Sequence, residues 1–372
     1  KMEFVVSQTS LKEELGFVQG IVERKNTIPV LSNIVIESVG ENAIRFLGTD
    51  LDVTIRCEIE AEIKTGGAIC IQARKLFDIV RLLPDAPVKF KREENDWVKV
   101  ECGRYNGRLA GVPRETFPEV PNFKSAPEKL PAELFRNFIK HTAFAITQEQ
   151  SRFTLSGAKF MVGGGLARMV TTDGHRLALI EKKDLNGVGA DTEIDVLIPK
   201  KTLSEITKLA ETATGDIAFG EDANHIYFEV GSRLLISRKL TGQFPNYEMV
   251  LPKNNDKTAH FDAQEFSDAL RRVAQTADDR TRAVRIEFGG GTIKLGASSS
   301  EEGEGNEEVS TDYDGEETVV GFNAQYVQDF FSVIREGQVS FEFKDGNAQA
   351  QMRPVTEDAS YDYKYIVMPM RV

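Results

Sequence analysis

The chain has 372 residues, with 46 Lys+Arg against 58 Asp+Glu and a formal net charge of −12. That length predicts two or three domains, and the acidic balance excludes a uniformly basic nucleic-acid coat protein while leaving local basic surfaces open. Hydrophobic residues at 41% and charged residues at 28% are ordinary for a globular protein; no apolar run reaches the ~18–20 residues that span a bilayer, and the opening KMEFVVSQTS lacks the layout of a signal peptide.

In chain order, LKEELGFVQGIVERK (11–25) predicts a helix, followed by the strands NIVIESV, AIRFLGT, VTIRCEI and GAICIQA. ARKLFDIVRLLPD (73–85) repeats apolar residues at helical spacing through Leu76, Phe77, Val80 and Leu83, and VKVECG alternates as a strand. PAELFRNFIKHTAFA (131–145) starts a second series, with strands RMVTTDG and RLALIE, helix PKKTLSEITKLAE (199–211), then IYFEVG and RLLISRKL. Pro199 is expected at the first helical position, where proline is tolerated. DAQEFSDALRRVAQTA (262–277) starts a third, with RIEFGG, TIKLGA, helix NAQYVQDFFSVIREG (323–337), QVSFEF and YIVMPM. Asn323 is the expected N-cap of that last helix. Asn42, Gly163–Gly165, Asp222-Ala223-Asn224, Gly289–Gly291 and Asp345-Gly346 supply hairpin turns.

The series repeats. Thr49-Asp50 returns as Thr172-Asp173 after 123 residues, and Phe117-Pro118 as Phe244-Pro245 after 127, close to a third of the chain. The period is too long for a solenoid. It predicts three whole domains of one α+β fold, with helices on one face of antiparallel sheets. Boundaries fall near Pro127 and near Lys253–Lys257, giving domains 1–125, 126–253 and 254–372. Cys57, Cys70 and Cys102 lie in alternating apolar stretches with no close pair, so they read as small buried hydrophobes rather than a disulfide or zinc set. A cytoplasmic location is expected.

Charge divides unevenly. Helical stretches 11–25, 73–83, 131–142, 200–211, 263–282 and 323–336 together carry +3, leaving −15 on the remainder. Helix surfaces favour Lys and Arg anyway; the sharper reading turns one relatively basic helical face toward a polyanion while acidic sheets repel phosphate elsewhere.

Catalytic motifs are missing. There is no Gly-Lys-Ser/Thr of a phosphate loop and no Gly-x-Ser-x-Gly. The triple glycines are flanked by strand patterns, and the four histidines form no metal-ligand spacing. The run Glu301–Glu308 reads as a solvated acidic loop or sheet edge. No catalytic residue, metal or cofactor is assigned, which favours a binding protein over an enzyme.

TTDGHRLAL (171–179), QFPNYEMVLPK (243–253) and YIVMPMRV (365–372), together with IPVLSNIVIES (28–38), TDLDVTI (49–55), ARKLFDIVRLLP (73–84) and FPEVPNF (117–123), resemble the bacterial β sliding clamps, the processivity subunits of replicative DNA polymerase. The resemblance runs through all three units in order. It implies a head-to-tail homodimer closing a six-domain ring, helices inward, around duplex DNA bound without regard to sequence. It also implies a protein that catalyses nothing and tethers its partners: the DNA polymerase III α subunit, the clamp loader, and other polymerases and repair proteins carrying clamp-binding motifs. No membrane partner is expected. A clamp-like paralogue that keeps the partner pocket without a replicative role is the alternative.

Three sites follow from the resemblance. Phosphate contacts fall to Arg24, Lys25, Arg74, Arg136, Lys140, Arg152, Lys200, Lys201 and Arg282. A pocket for short peptides with apolar anchors is assigned to Leu155, Thr172, Gly174, His175, Arg176, Leu177, Pro245 and Val250, with Val367, Met368, Pro369, Met370 and Arg371. Met249 and Gln349 sit at its rim and are less typical residues there. Taken without the resemblance, Thr172-Asp173-Gly174 reads as a turn, His175 as a core histidine, and Met368-Pro369-Met370 as a last strand. The subunit interface is expected to set basic Lys75, Arg104 and Arg108 against acidic Glu301, Glu302 and Glu304 around an apolar centre including Leu109 and Val273.

Overall fold

The computed structural model describes residues 1–22, 27–123, 125–149, 151–189, 193–356 and 360–372. The first repeat contains β1 (Glu3–Ser7), α1 (Gln8–Gln19), β2 (Asn33–Val39), β3 (Ala43–Thr49), β4 (Val53–Glu60), β5 (Glu62–Thr65), β6 (Ala68–Gln72), α2 (Ala73–Val80), β7 (Pro87–Arg92), β8 (Val98–Cys102), β9 (Tyr105–Leu109) and β10 (Gly111–Val112). The second contains β11 (Glu128–Pro131), α3 (Ala132–Thr142), β12 (Gly157–Gly163), β13 (Leu166–Thr172), β14 (Arg176–Lys182), β15 (Ile194–Pro199), α4 (Lys200–Thr212), β16 (Asp216–Glu221), β17 (His225–Val230) and β18 (Arg233–Arg238). The third contains β19 (Lys257–Asp262), α5 (Ala263–Val273), β20 (Ala283–Gly289), β21 (Thr292–Ser299), β22 (Gly303–Ser310), β23 (Thr318–Asn323), α6 (Ala324–Val333), β24 (Gln338–Phe343), β25 (Ala350–Val355) and β26 (Asp362–Val367). Strand, helix, four strands, helix, three strands is the common order, and the first repeat adds the short β5 and β10.

Three helix starts, those of α1, α5 and α6, are set by side-chain caps. Helix α1 begins at Gln8, ahead of the expected Leu11, because Ser7 Oγ accepts the Ser10 amide. Asp262 caps α5 through the Glu265 amide, and Asn323 caps α6 through the amides of Gln325 and Tyr326, as expected. Pro199 departs from expectation. It is the last residue of β15, paired with Gly157, and α4 starts at Lys200. β15 ends its sheet, and an edge strand tolerates a residue without an amide hydrogen. A side chain at position 157 would run into the Ile198 carbonyl, so the pairing requires glycine there.

Contacts group the chain into two compact units, Lys1–Phe135 with Lys201–Lys239, and Arg136–Lys200 with Leu240–Val372. The second repeat is shared because its strands complete its neighbours' sheets. In the first unit a nine-stranded sheet runs β10-β6-β2-β3-β4-β18-β17-β16-β11, beside a five-stranded sheet β5-β1-β7-β8-β9. In the second an eight-stranded sheet runs β15-β12-β13-β14-β26-β25-β24-β19, beside a four-stranded sheet β22-β21-β20-β23. Leu234 to Ser237 of β18 pair antiparallel with Arg56 to Val53 of β4. Arg176 to Glu181 of β14 pair with Val367 to Asp362 of β26.

Alternation along these strands buries one face of each. Phe135 meets Phe219 and Phe228 edge-on in the first unit. Phe261 stacks on Phe266, and Phe288 on Phe343, in the second. Each such ring stabilises its unit by about 1.5–3 kcal/mol through burial. All three cysteines are free and buried; burial pushes the Cys57 thiol well up and that of Cys70 to about 11, so neither is a ready nucleophile. Most of the acidic run is a sheet edge, since Gly303–Ser310 pairs with β21 along its whole length, while Glu301 and Glu302 form the turn before it. Among the described residues no helix is long and apolar enough to cross a membrane.

Candidate functional site

Thr-Asp marks the β3–β4 and β13–β14 turns for a physical reason. Asp50 Oδ1 accepts the amides of Asp52 and Val53, and Thr49 Oγ1 that of Leu51. Asp173 Oδ1 accepts the amides of His175 and Arg176, and Thr172 Oγ1 that of Gly174. The residue after Asp adopts positive φ in both, +78° at Leu51 and +90° at Gly174. Glycine at 174 has a second effect. A Cβ there would lie 2.9 Å from an Arg152 guanidinium nitrogen, so its absence lets Arg152 lie over the turn and donate to the Asp173 carbonyl at 3.0 Å.

Beside this turn is a cavity of about 240 Å³, lined by Arg152, Leu155, Thr172, Gly174, Arg176, Leu177, Pro245, Tyr247, Val250, Ile366 and Met368. Its floor is a row across three strands: Thr172 opposite Leu177, and Leu177 opposite Ile366. Directly paired residues share a face. The volume lies below the ~300–1,000 Å³ of small-molecule sites and suits one or two apolar side chains rather than a cofactor.

Buried charge sets the walls. The Arg176 side chain is 10% exposed and donates to Asp173 at 3.1 Å, to the Phe144 carbonyl at 3.0 Å, to the Tyr365 hydroxyl at 3.3 Å and to Asp329. Its guanidinium lies 4.6 Å from the Tyr326 ring centroid. Burial alone would lower its pKa; Tyr365 and Asp329 outweigh that and hold it above the usual arginine value. Tyr247 is held by Arg168, whose Nη1 donates to the phenol oxygen at 2.8 Å while Nη2 pairs at 2.6 Å with the buried Glu181.

Leu155, Thr172, Gly174, Arg176, Leu177, Pro245, Val250 and Met368 thus come together around one cavity. The other pocket candidates do not line it. His175 is exposed, not a core histidine: its ring stacks on Tyr326 at 6.0 Å, and its carbonyl accepts the Met368 amide at 3.0 Å. Val367 is buried on the opposite face of β26, because strand side chains alternate. Alternation also explains the missed Ile366, which faces the cavity with Met368. Met249 is 76% exposed at the surface, while Gln349 braces the rim by donating to the Val250 carbonyl at 2.9 Å. Pro369, Met370 and Arg371 are not among the lining residues, and Met370 is bridged to Gly321. Tyr247 was legible as the tyrosine of QFPNYEMV, two residues past Pro245.

The basic candidates separate. Arg24 and Lys25 lie outside the described residues. Lys140 and Lys200 are exposed, Arg74 and Arg136 half-buried. Arg282 is exposed, in the left-handed region at φ +52°, with Gln325 Oε1 at 3.4 Å. Arg152 belongs to the pocket rim instead. Lys201 is committed to Asp50 at 2.5 Å and the Ile21 carbonyl at 3.2 Å, so it is not a free phosphate contact. Arg271 and Arg335, not anticipated, border an open groove between α5 and α6 along with Asp268 and Glu336.

Of the interface candidates, Lys75, Arg104, Glu301, Glu302 and Glu304 are exposed and Leu109 is half-buried. Arg108 is bound within its own chain, to Glu93 at 2.8 Å and over the Trp97 ring at 4.9 Å. Val273 is a correction: at 2% exposure it belongs to the core beneath β21 and β22 and offers no apolar surface.

Known proteins share this architecture. Family models for the DNA polymerase III beta subunit match in three pieces: the N-terminal domain at residues 2–121, the central domain at 129–246 and the C-terminal domain at 248–371. The chain is 33% identical over 378 residues to the Beta sliding clamp of Pseudomonas aeruginosa and 36% over 380 residues to that of Caulobacter vibrioides, each alignment covering 100% of both chains. Among solved structures, DNA polymerase III subunit beta from Pseudomonas aeruginosa superposes with a TM-score of 0.94 at 32% identity, covering 100% of both. A sliding clamp from the same organism, bound to griselimycin, gives 0.92 at 32% identity with the same coverage.

Proposed function

Because the chain belongs to the family of bacterial DNA polymerase III β subunits, the β sliding clamps, we propose that it encircles duplex DNA as a head-to-tail homodimer and tethers replication proteins without catalysing a reaction. The observation that carries this reading is the sheet order. Equivalent strands join neighbouring repeats, β4 to β18 and β14 to β26. The third pair of that type, β22 and β9, ends its sheets unpartnered among the described residues. A second copy supplies the missing partner at each end, and a heterologous contact that closes after two subunits makes a ring.

Register sharpens the interface. The hairpin pairs Thr49–Thr54 and Ser299–Gly303 correspond, as do Val230–Arg233 and Cys102–Tyr105. Carrying over the β4–β18 pairing sets Gly107 opposite Glu304 and Arg108 opposite Gly303, diagonal to Glu301. Exposed pairs of this kind are worth ~0–1 kcal/mol each, so they act on specificity and salt response. Sedimentation at rising salt tests them; an unchanged dimer dissociation constant in Arg108→Glu or in Arg104→Glu removes that residue from the interface.

Domains 1–125, 126–253 and 254–372 then contribute two helices each to the inner wall. Lys140, Lys200, Arg74, Arg136, Arg271, Arg282 and Arg335, with Arg24 and Lys25, give sequence-blind phosphate contacts weak enough to permit sliding. The 240 Å³ cavity takes the apolar anchors of a partner peptide. The polymerase α subunit, the clamp loader and other polymerases and repair proteins compete for it in the cytoplasm. Retention of the loaded protein on nicked circular DNA, and its release when the circle is linearised, tests the ring. Equal retention on both substrates refutes topological attachment.

A further inference from the structure

Met368 is the one residue beyond β26 that lines the cavity, and its position is fixed from both sides. Upstream, its amide donates to the His175 carbonyl at 3.0 Å, the last bond of the β14–β26 ladder. Two residues later, the Met370 amide donates to the Gly321 carbonyl at 2.7 Å. Gly321 lies in β23, the edge strand of the four-stranded sheet. Within three residues the chain therefore passes from one sheet to the edge of another, with Met368 held between the two attachments.

Gly321 has ordinary negative-φ strand geometry, so its need for glycine is one of space. A Cβ there would lie 2.7 Å from the Met370 carbonyl oxygen and closer still to the Val372 side chain. We propose that Gly321 is a positioning residue for the peptide pocket: it latches segment 369–372 onto β23 and thereby sets Met368 against the peptide, which Gly321 itself does not touch. Residues Pro369, Met370 and Arg371 then serve the pocket as the strap of this latch. The inference rests on the cavity being a peptide site.

The test is fluorescence polarisation of a labelled Gln-Leu-Ser-Leu-Phe peptide, well below the melting temperature of each variant. Gly321→Val adds bulk under the strap, and Met370→Pro removes the donated hydrogen without touching position 321. Val319→Thr, on the exposed face of the same strand, reports any general effect of changing β23. The expected result is peptide binding at least ~10-fold weaker in both latch variants, about 1.4 kcal/mol, and unchanged in Val319→Thr. Gly321→Val/Val372→Ala recovers part of the loss. If Gly321→Val does not fold, Met370→Pro with amide exchange at Met368 decides alone, the latch predicting faster exchange and weaker binding together. Wild-type affinity in a folded latch variant overturns the latch and leaves the pocket standing. No binding by the wild type overturns both.

Discussion

Replacing Arg176 by methionine keeps most of the side-chain volume and removes the charge that ties Asp173 to Asp329. The side chains involved are 10%, 13% and 21% exposed, so both carboxylates lose a largely dry partner. Breaking such a pair from one side costs ~3–5 kcal/mol. The lower end applies here, because each acid keeps other donors: Asp173 the amides of His175 and Arg176, and Asp329 the Gln325 side chain at 2.8 Å. About 3 kcal/mol in a unit of this size lowers the melting temperature by roughly 6–12 °C. Differential scanning calorimetry measures it. Arg176→Met/Asp329→Leu, which removes both ends, recovers part of the loss, because a buried pair replaced by apolar groups is close to neutral. A shift under ~2 °C in the single variant, or no recovery in the double, would show that the pair contributes nothing beyond solvated surface charge.

Arg168→Met leaves Tyr247 without its donor, and peptide affinity should fall by about 1 kcal/mol, roughly fivefold, by polarisation titration; unchanged affinity separates Tyr247 placement from Arg168. Burial alone would raise the Asp222 pKa, but the Tyr227 hydroxyl and the Asn224 and His225 amides outweigh it and bring it from 3.8 down to about 2. A depressed carboxylate stabilises the fold above its unfolded value and loses that contribution as pH falls through the folded one. The stability difference between wild type and Asp222→Asn in urea titrations should therefore be full at pH 6 and shrink from about 4 toward about 2; a difference constant with pH contradicts this. Lys140→Ala should lessen the salt dependence of DNA retention by about one unit of slope, whereas Lys201→Ala, which releases Asp50, should lower the melting temperature and leave the slope unchanged.

Sequence periodicity carried the architecture because it reports burial. Thr49-Asp50 and Thr172-Asp173 marked equivalent turns, and alternation located the strands on either side. What periodicity cannot report is which of two competing partners a long side chain takes. Lys201 and Arg152 both look like solvated cations in the sequence, yet one binds Asp50, 151 positions away, and the other lies across Gly174. Val273 satisfies an amphipathic pattern whether the apolar neighbour is its own sheet or a second chain. Ile366 and Val367 are equally apolar, and only the strand register says which one faces the cavity. Pro199 was misjudged because a strand edge and a helix start tolerate proline for the same reason, a missing donor.

The sheets that run from one repeat into the next also decide how the chain yields under load. A force drawing two repeats apart along their strands is resisted by ladder bonds sharing it in shear. The β14–β26 ladder offers six residue pairs and the β4–β18 ladder four. The shorter one has a brace: Arg233 of β18 grips Glu14 of α1 at 2.7 Å, with Glu13 at 3.2 Å. Elastic compliance within the chain is thus smallest where hydrogen bonds are most numerous, and it is tuned elsewhere by a single guanidinium whose largely buried grip on Glu14 salt screens only weakly. Bending stiffness becomes a property written into strand pairing and one ion pair rather than into the connecting segments.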